Sequence, residues 1–568
     1  MYTIIYAVFM QNQTIDLNTY SLPGSANTRL TSLFPHIPRN SAEVGFDIYD
    51  YNFLFNDEKT LRLIRSGNTI GCFYIESPGM RQLLKRLDVH TFEMLTAASS
   101  IIRPGVAESG MMKEFILRHK DPSRRKYLHP LMEKYLAETY GVMIYQEDVI
   151  KVAHYIAGLS LDDADLMRRA MSGKMRSRSA MLNLANKFLS SCKNRGINRQ
   201  TTGELWRQIA SFAGYSFCKA HSASFALLSY QVAYLKAHYP AEFISSVINN
   251  QGGYYSTAVY VWEGVRMGLK FHLPSINKSH YNYAGKGSTI QIGFLAIKNM
   301  SKEFADNIVE ERKANGLYKS LADFLVRLKP GPEETTSLIK CGAMDCFGLT
   351  RPSLLRLLHV YLYSRKILDE FDSGLFVNES FKLEKEVITE KDYTIQEKCS
   401  IEYEILGYMI SKHPLEFFSG YIDDKNIINA GDMHKYDRKR VKMIGWYMAS
   451  KRIRTKKGEA MKFLSLEDMT GTFEAVIFPR VYSLVAEKTL SMGPYFVEGR
   501  VDVEGGNNLV VDKLELLADI KLTISQNNFS PGSEYAEKDE FREEDVFLSD
   551  LNAEKLVNAY SMNLKKAV

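Results

Sequence analysis

The sequence predicts a multidomain α+β protein in which a mostly helical first part precedes a small five-stranded β-barrel. Residues 55–250 repeat apolar side chains at spacings of three and four, which is the period of amphipathic helices. Residues 441–517 instead alternate apolar and polar side chains, which is the period of strands. The length of 568 residues corresponds to roughly three or four domains of about 100–200 residues each.

The strand-like region has a recognisable order. We expect the first strand in VKMIGWYMASKRIR and the next two in MKFLSLED and TFEAVIF. Because successive side chains of a strand point to opposite faces, Phe473, Ala475 and Ile477 should share one face. A helical segment, VYSLVAEKTL, follows, and a Gly-Gly-Asn turn then joins the last two strands as a hairpin. The order β-β-β-α-β-β is that of an OB-fold barrel, which binds single-stranded nucleic acid; the alternative is a barrel with only a structural role.

Composition excludes several classes of protein. Hydrophobic residues make up 45% and charged residues 24%, as in ordinary globular proteins, and the net charge of +6 does not by itself indicate a nucleic-acid partner. The six cysteines form no C-x-x-C pair, so no zinc ribbon or redox motif is indicated. Scattered cysteines fit a reducing cytoplasm, and no apolar run reaches the ~18–20 residues that span a bilayer. We therefore expect a cytoplasmic protein with no membrane partner.

One basic cluster lies on the first strands of the predicted barrel. Residues 438–457 contain no acidic side chain. Clustered cations interleaved with aromatic rings suit a groove that follows a nucleic-acid strand. The candidate ligands are the cations Lys451, Arg452, Arg454, Lys456 and Lys457, together with the rings of Trp446 and Tyr447. Alternation places Arg452 and Arg454 on one side of the strand, and the alternatives are a solvated charged face and rings buried in the barrel core.

A second cluster, DLMRRAMSGKMRSR, contains Arg168 and Arg169. Adjacent residues of a helix point about 100° apart, so both arginines can face only a large or multiply charged ligand such as a triphosphate. Phosphoryl transfer through two metal ions needs paired carboxylates, such as D-x-D on a strand. The closest pattern, GFDIYDYN with Asp47 and Asp50, is better explained as a solvated loop. The sequence thus predicts no catalytic residue and no metal ligand.

Long segments of the chain resemble a known family. Five segments resemble, in order and spacing, the fingers of the bacterial DNA polymerase III α subunit, a C-family replicative polymerase. They are GCFYIESPGMRQLL, RPGVAESGM, YLHPLMEKYLAETYGVMIYQEDV, LDDADLMRRAMSGK and FAGYSFCKAHSASFALLSYQVAYLKAHYPAEF. IGFLAIKNMSKEFADNIVEER and LIKCGAMDCFG resemble its tandem helix-hairpin-helix region, and KRIRTKKGEAMKFLSLEDMTGTFEAVIFP resembles its OB domain. The resemblance covers roughly residues 45–518.

The resemblance implies a domain order. The predicted segments are 1–50, a loop-rich remnant after the palm; 51–250, helical fingers; 251–390, tandem helix-hairpin-helix and clamp-binding region; 391–430, a linker; 431–520, the OB-fold domain; and 521–568, an acidic linker and C-terminal tail. The family's phosphoesterase-like domain and palm are expected to be missing, because no strand-like segment carries the D-x-D pattern of the palm aspartates and the K-x-D-F-L-G pattern does not occur. We expect Mg²⁺ in the complete polymerase, none bound by this chain alone, and no activity of the isolated chain.

The resemblance also assigns residues. Arg168 and Arg169 match residues that contact the triphosphate of the incoming nucleotide, and Lys219 and His221 match a motif near the active site. In FDSGLF, Leu375 and Phe376 stand where the family carries a sliding-clamp peptide; the alternative is a helix end that packs its own side chains. The hairpin turn Ile297–Ser301 lacks the family's two glycines, which removes the residue type that adopts positive φ most easily.

The implied function is DNA-templated DNA synthesis in bacterial replication by a DNA-directed DNA polymerase, a nucleotidyltransferase. The chain would bind template–primer DNA and the incoming deoxynucleotide, with single-stranded template, a sliding clamp and other replicase subunits as partners. The alternatives are a non-catalytic DNA-binding module and one half of a split polymerase that is completed in trans.

Overall fold

The computed structural model describes residues 47–102, 110–171, 178–210, 218–371, 390–422, 426–455, 457–503 and 505–517. The chain divides into two compact units. The first unit holds the helical part up to His413. The second unit holds the barrel, from Pro414 to Val503 and from Asn507 on.

The first unit is mostly helical up to residue 266, as the spacing of apolar residues predicts. Its helices are α1 Tyr51–Phe55, α2 Glu58–Arg65, α3 Pro78–Leu87, α4 Phe92–Ile101, α5 Met111–Lys120, α6 Pro130–Leu136, α7 Gln146–Lys151, α8 Leu161–Met171, α9 Arg178–Asn194, α10 Arg199–Ala210, α11 Lys219–His238, α12 Pro240–Asn249 and α13 Thr257–Arg266. A π-helical turn, Val152–Ile156, continues α7. Pro240 opens α12, since a proline at the first helical position lacks an N–H that would have no partner there.

α11 runs through the centre of this part and buries Lys236 near its end. The Lys236 Nζ donates to the carbonyl oxygens of Asn68 and Ile70 at 2.7 and 2.8 Å and to Glu263 Oε1 at 2.6 Å. Burial alone would raise the pKa of Glu263, but Lys236 and Arg266 outweigh burial and lower that pKa to about 2. This buried ion pair ties α11 to α13 and to the turn after α2.

The rest of the first unit combines a small sheet with further helices. Its elements are β1 Lys270–His272, β2 Ala284–Lys286, β3 Thr289–Gln291, α14 Lys302–Asn315, α15 Leu321–Leu328, α16 Pro332–Lys340, α17 Arg351–Phe371 and α18 Ile395–Leu406. β3 pairs in parallel with β1 and antiparallel with β2. Before α14, Asn299 adopts φ 63°. The turn therefore keeps a left-handed residue without glycine, because asparagine tolerates that region better than most side chains.

The second unit is the predicted barrel. It contains α19 Ser419–Ile422, β4 Arg440–Arg454, β5 Ala460–Glu467, β6 Thr472–Ile477, α20 Pro479–Val485, β7 Tyr495–Asp502 and β8 Asn508–Leu516. Within the described residues, these five strands close in the order β4-β5-β6-β8-β7. β6 and β8 are parallel, while the other neighbours are antiparallel. The predicted order β-β-β-α-β-β and the OB-fold architecture are confirmed.

The barrel core follows the predicted alternation. Phe473, Ala475 and Ile477 all lie in the buried apolar cluster of the barrel, as expected for one face of β6. Gly445 allows β4 to approach this core, since an added Cβ would lie 2.7 Å from Leu466 Cβ and 3.0 Å from Phe473 Cζ. A bulge in β4 between Tyr447 and Ala449 changes the alternation along the strand. In the part of the chain that the structure describes, no helix combines the length and apolarity needed to cross a bilayer.

Candidate functional site

α8 carries the two adjacent arginines near its carboxyl end. The Arg168 Nε donates to Asp165 Oδ1 at 2.8 Å, and its Nη1 donates to Gln146 Oε1 at 3.0 Å. The Arg169 Nε lies 2.7 Å from the other oxygen of Asp165. The Arg169 side chain is 62% exposed and that of Arg168 is 27% exposed. One carboxylate thus draws both guanidinium groups together despite their different directions on the helix.

Lys219 begins α11 and makes two kinds of contact. Its backbone N–H donates to Glu147 Oε2 at 2.9 Å. Its Nζ donates to both carboxylate oxygens of Glu138, at 2.8 and 2.9 Å, and lies 5.5 Å from the centre of the Tyr145 ring. The amino group is therefore held in place by a carboxylate and an aromatic face.

His221 lies on the first turn of α11 and is half-buried. Its ring centroid lies 4.2 Å from that of Phe225, in an edge-to-face arrangement. This packing contact assigns no chemical role to the ring nitrogens, so the placement of His221 near an active site stays a prediction.

Two consecutive residues of α7 bring the predicted groups to one place. Gln146 accepts a hydrogen bond from Arg168, and Glu147 accepts one from the backbone of Lys219. Arg168 of α8 and the N-terminus of α11 therefore meet at the start of α7, although 51 positions separate Arg168 from Lys219 along the chain. The sequence predicts both groups but not the two neighbouring residues of α7 that accept their hydrogen bonds.

The next residue, Asp148, secures the start of α7. Its Oδ2 accepts the backbone N–H groups of Ile144 and Tyr145, each at 3.0 Å. Burial outweighs these hydrogen bonds and the nearby Lys151, and it raises the pKa of Asp148 to about 6. The carboxyl group thus holds the loop whose following residues contact Arg168 and Lys219.

The resulting arrangement can accept a polyanion. Arg168, Arg169 and Lys219 each contact a carboxylate oxygen of Asp165 or Glu138. Phosphate oxygens accept the same charge-assisted hydrogen bonds, and arginine forks match their geometry. A triphosphate could therefore replace the carboxylates as the partner of these cations.

On the barrel, the cations of β4 divide between two faces. Arg452 pairs with Lys462 of β5, and Arg454 lies two residues farther on the same face, as alternation predicts. Lys451 pairs with Phe463 and lies on the opposite face. Lys451, Arg452 and Arg454 are exposed, whereas Lys462 is buried. Arg452 and Arg454 thus form a cationic edge that Lys451 does not share.

The two aromatic candidates also separate. Tyr447 is half-buried and packs against the barrel core. Trp446 is half-buried on the other face, where it packs against a small apolar cluster formed by Leu415, Phe418, Ile444 and Leu517. The alternative that a ring packs in the barrel core fits Tyr447, whereas Trp446 packs on the separate outer cluster. Base stacking on either ring stays a prediction.

Several candidates lie at or beyond the edge of the described residues. Lys457 is exposed in the turn after β4, and its N–H lies 3.3 Å from Thr455 Oγ1. Lys456, Leu375 and Phe376 fall outside the described residues. Across the described ranges, no group of three or more His, Cys, Asp or Glu side chains is placed to hold a metal ion.

Sequence reasoning missed the acceptors that organise the site. Asp165, Glu138, Gln146 and Glu147 were not predicted as site residues. Asp165 had a local signal, because it stands three and four positions before the two arginines, the spacing of neighbours on one helix face. The other three become neighbours of Arg168 and Lys219 only through tertiary packing.

Two parts of the chain match known protein families. Residues 30–196 match the bacterial DNA polymerase III alpha subunit finger domain, and residues 268–354 match a helix-hairpin-helix motif. The first match contains α7 and α8 with their Gln146–Arg168 contact. The second contains the hairpin turn before α14.

Similarity to curated proteins extends over most of the chain. The DNA polymerase III subunit alpha of Bacillus subtilis (strain 168) is 30% identical over 476 residues, which cover 82% of this chain and 42% of the relative. The subunit of Staphylococcus aureus (strain MRSA252) is 31% identical and covers 84% of this chain and 44% of the relative. The subunit of Campylobacter jejuni is 34% identical, and the match covers 79% of this chain and 39% of the relative.

This chain spans about two fifths of the length of the curated relatives that it matches. The chain therefore carries a finger domain of the bacterial DNA polymerase III alpha family and a helix-hairpin-helix motif, and its homologues are DNA polymerase III alpha subunits.

Proposed function

We propose that this chain acts in bacterial DNA replication as the fingers, helix-hairpin-helix and OB portion of a polymerase III alpha subunit. In that role it binds template–primer DNA and the incoming deoxynucleotide for DNA-templated synthesis. The observation that carries the proposal is the meeting of Arg168 and Lys219 at consecutive residues of α7, Gln146 and Glu147, beside the finger-domain match.

The nucleotide step follows from charge. A deoxynucleoside triphosphate brings several negative charges, and phosphoryl transfer depends mainly on positioning and on stabilising the charge of the transferred group. Arg168 and Lys219 can exchange their carboxylate partners for phosphate oxygens. Gln146 is neutral and can keep its contact to Arg168, which orients the guanidinium group while Asp165 is displaced.

Mg²⁺ is the metal expected for the complete polymerase. The described side chains of this chain do not form a carboxylate cluster that fits it. We therefore derive no step through the metal and assign to this chain only binding and orientation of the substrates.

The partners follow from the same proposal. The barrel binds single-stranded template through the edge formed by Arg452 and Arg454, and the helix-hairpin-helix region binds the DNA backbone. The segment with Leu375 and Phe376 binds a sliding clamp, and other replicase subunits complete the assembly.

The test uses the full chain and a fluorescently labelled primer–template DNA. We expect binding that weakens steeply as salt rises, because phosphate neutralisation releases counterions. The complementary deoxynucleotide should strengthen DNA binding more than a mismatched one does. Failure to bind the DNA at low salt, or equal effects of the two nucleotides, would contradict the proposal.

A further inference from the structure

A pair of stacked tyrosines lies on the first unit, and neither residue belongs to the site described above. Tyr135 belongs to α6 and Tyr155 to the π-helical turn that continues α7. Their ring centroids are 4.0 Å apart, and the ring planes differ by 7°. The residue Tyr155 is 41% exposed. One face of its ring is therefore covered by Tyr135, and its exposed area can meet a further flat group.

The backbone that presents Tyr155 is itself unusual. π-helical turns are rare and occur frequently at functional sites. This turn places His154 against Tyr155, with ring centroids 4.7 Å apart and an edge-to-face geometry. Tyr155 thus contacts the rings of both Tyr135 and His154, so little side-chain freedom remains to be lost when a ligand stacks on it.

Two cations flank the pair. The Lys134 Nζ lies 5.4 Å from the centre of the Tyr135 ring. The Arg195 Nη1 donates to the backbone carbonyl of Tyr155 at 2.7 Å. Gly158, at φ 85°, makes room for this arginine, because an added Cβ would lie 2.2 Å from Arg195 Nε. Two positively charged side chains therefore lie near the aromatic platform.

We propose that Tyr155 is a stacking platform for an unpaired base of a nucleic-acid strand, with Lys134 and Arg195 contacting the phosphates on either side of that base. Stacking of bases on aromatic side chains and neutralisation of phosphates by neighbouring cations are the two forces that hold single strands on proteins. The inference deepens the proposed function and rests on it only for the identity of the strand as DNA.

The test is photocrosslinking of the full chain to a single-stranded oligothymidylate that carries one 5-iododeoxyuridine. Iodouracil crosslinks efficiently to an aromatic ring on which it stacks, and mass spectrometry of the digested protein identifies the residue. We expect a crosslink at Tyr155 in the wild type and in Tyr155→Phe, because the phenyl ring keeps the stacking surface. We expect its loss in Tyr155→Ala.

Tyr363→Ala is the matched control, since Tyr363 of α17 is 70% exposed and the substitution is the same. It should leave the crosslink at position 155 unchanged. Lys134→Ala should reduce the crosslink yield and its dependence on salt, since about 0.7 of a counterion is released per phosphate neutralised on a single strand. Unchanged circular dichroism would show that each variant is folded.

Crosslinks found only elsewhere, on the barrel for example, would overturn the inference, as would a wild type that gives none. Either result would mean that the tyrosine pair contacts a protein partner or serves only packing within the chain. Binding of the primer–template duplex is measured in parallel. A chain that crosslinks at Tyr155 but does not bind the duplex would contradict the proposed function and support the stacking platform.

Discussion

The Nη1 atom of Arg168 and the Oε1 atom of Gln146 lie 3.0 Å apart and join the end of α8 to the start of α7. In the nucleotide-binding role proposed above, Arg168→Ala removes a charge-assisted contact to phosphate worth about 1.5–3 kcal/mol. We expect apparent nucleotide affinity to fall roughly tenfold to a hundredfold, measured by nucleotide titration in an enzyme that contains the palm.

Arg169→Ala should act in the same direction, because Arg169 shares Asp165 with Arg168. Arg207→Ala is the matched control, since Arg207 is also a helical arginine paired with a carboxylate three positions away, Glu204. It should leave nucleotide affinity unchanged. If Arg168→Ala and Arg169→Ala behave like the control, the nucleotide-binding assignment of both arginines is wrong.

The sequence predicts much of this fold because its main signals are periodic. The alternation of Phe473, Ala475 and Ile477 and the apolar spacing of α11 are local patterns that burial imposes directly. The bulge after Tyr447 leaves no such pattern, since one extra residue in a strand is specified by its cross-strand partners. Beyond the bulge the simple alternation holds again, and it separates Lys451 from Arg452 and Arg454 as the register does.

The candidate site shows the same limit. Cations such as Arg168 and Lys219 can be found from their residue type and from the family resemblance. Their partners Gln146 and Glu138 cannot, because a single uncharged or acidic side chain on a helix carries no signal of what packs against it. Asn299 shows that a turn can have a left-handed residue even where the sequence has no glycine to predict it.

Asp148 should give the first unit an unusual pH dependence. Its pKa is about 6 in the folded state, whereas the ordinary pKa of an aspartate side chain is 3.8. The folded state therefore keeps the proton over a pH range in which the unfolded state has lost it. Stability from this group therefore falls as pH rises from about 4 to about 6, by up to about 3 kcal/mol. Lys151 opposes this shift and Glu138 adds to it.

Asp148→Asn is the sharpest variant for this prediction, since an amide oxygen can still accept the N–H groups of Ile144 and Tyr145. We expect the variant to lack the fall in stability with rising pH that Asp148 causes. The melting temperature of the wild type should therefore fall relative to that of the variant between about pH 4.5 and about pH 6.5. A difference that stays constant over this range would mean that Asp148 is charged in the folded protein throughout.

The buried pair of Lys236 and Glu263 should be essential for stability. Lys236→Met leaves Glu263 Oε1 and two backbone carbonyl oxygens without their donor, while Arg266 still donates to Glu263 Oε2. Breaking such a buried pair costs about 3–5 kcal/mol. Because the pKa of Glu263 is lowered to about 2, its stabilising contribution is present above pH 4.5, its ordinary value, and is lost as pH falls toward 2. Thermal unfolding at neutral and acidic pH measures both effects.

Lys187→Met is the control, because Lys187 is 60% exposed and its pairing with Asp163 should contribute no more than about 1 kcal/mol. Adding Glu263→Gln to Lys236→Met should recover part of the lost stability, since it removes a buried charge that Arg266 alone still pairs with. Equal effects of the buried and the exposed substitution would show that the pair does not stabilise the unit.

The predicted clamp segment can be tested with peptides. A peptide of residues 368–379 should bind the cognate sliding clamp, because Leu375 and Phe376 would fill an apolar pocket as anchor residues. The double variant Leu375→Ala, Phe376→Ala should not bind, whereas Val377→Ala should bind as the unchanged peptide does. Equal binding of the double variant would assign the two side chains to packing within the chain.

The last prediction concerns the cationic edge of the barrel. Since Leu415 and Phe418 pack against Trp446, a fragment for this test should begin at Pro414 and end near residue 520, so that the cluster is kept. The fragment should bind single-stranded DNA with an affinity that falls as salt rises. In a plot of the logarithm of the binding constant against the logarithm of the salt concentration, each neutralised phosphate contributes a slope of about −0.7. Three or four contacts would give a slope of roughly −2 to −3.

Replacing both Arg452 and Arg454 with alanine should flatten this slope by more than about one unit, because two phosphate contacts are lost together. The fold should survive, since both side chains are exposed and the barrel core lies elsewhere. The matched double variant Arg440→Ala, Lys513→Ala removes two exposed cations that pair with Asp512 and Glu515 on the barrel, and it should leave the slope nearly unchanged. If the wild-type slope is near zero, or if the two double variants behave alike, this edge contacts a protein partner instead of DNA.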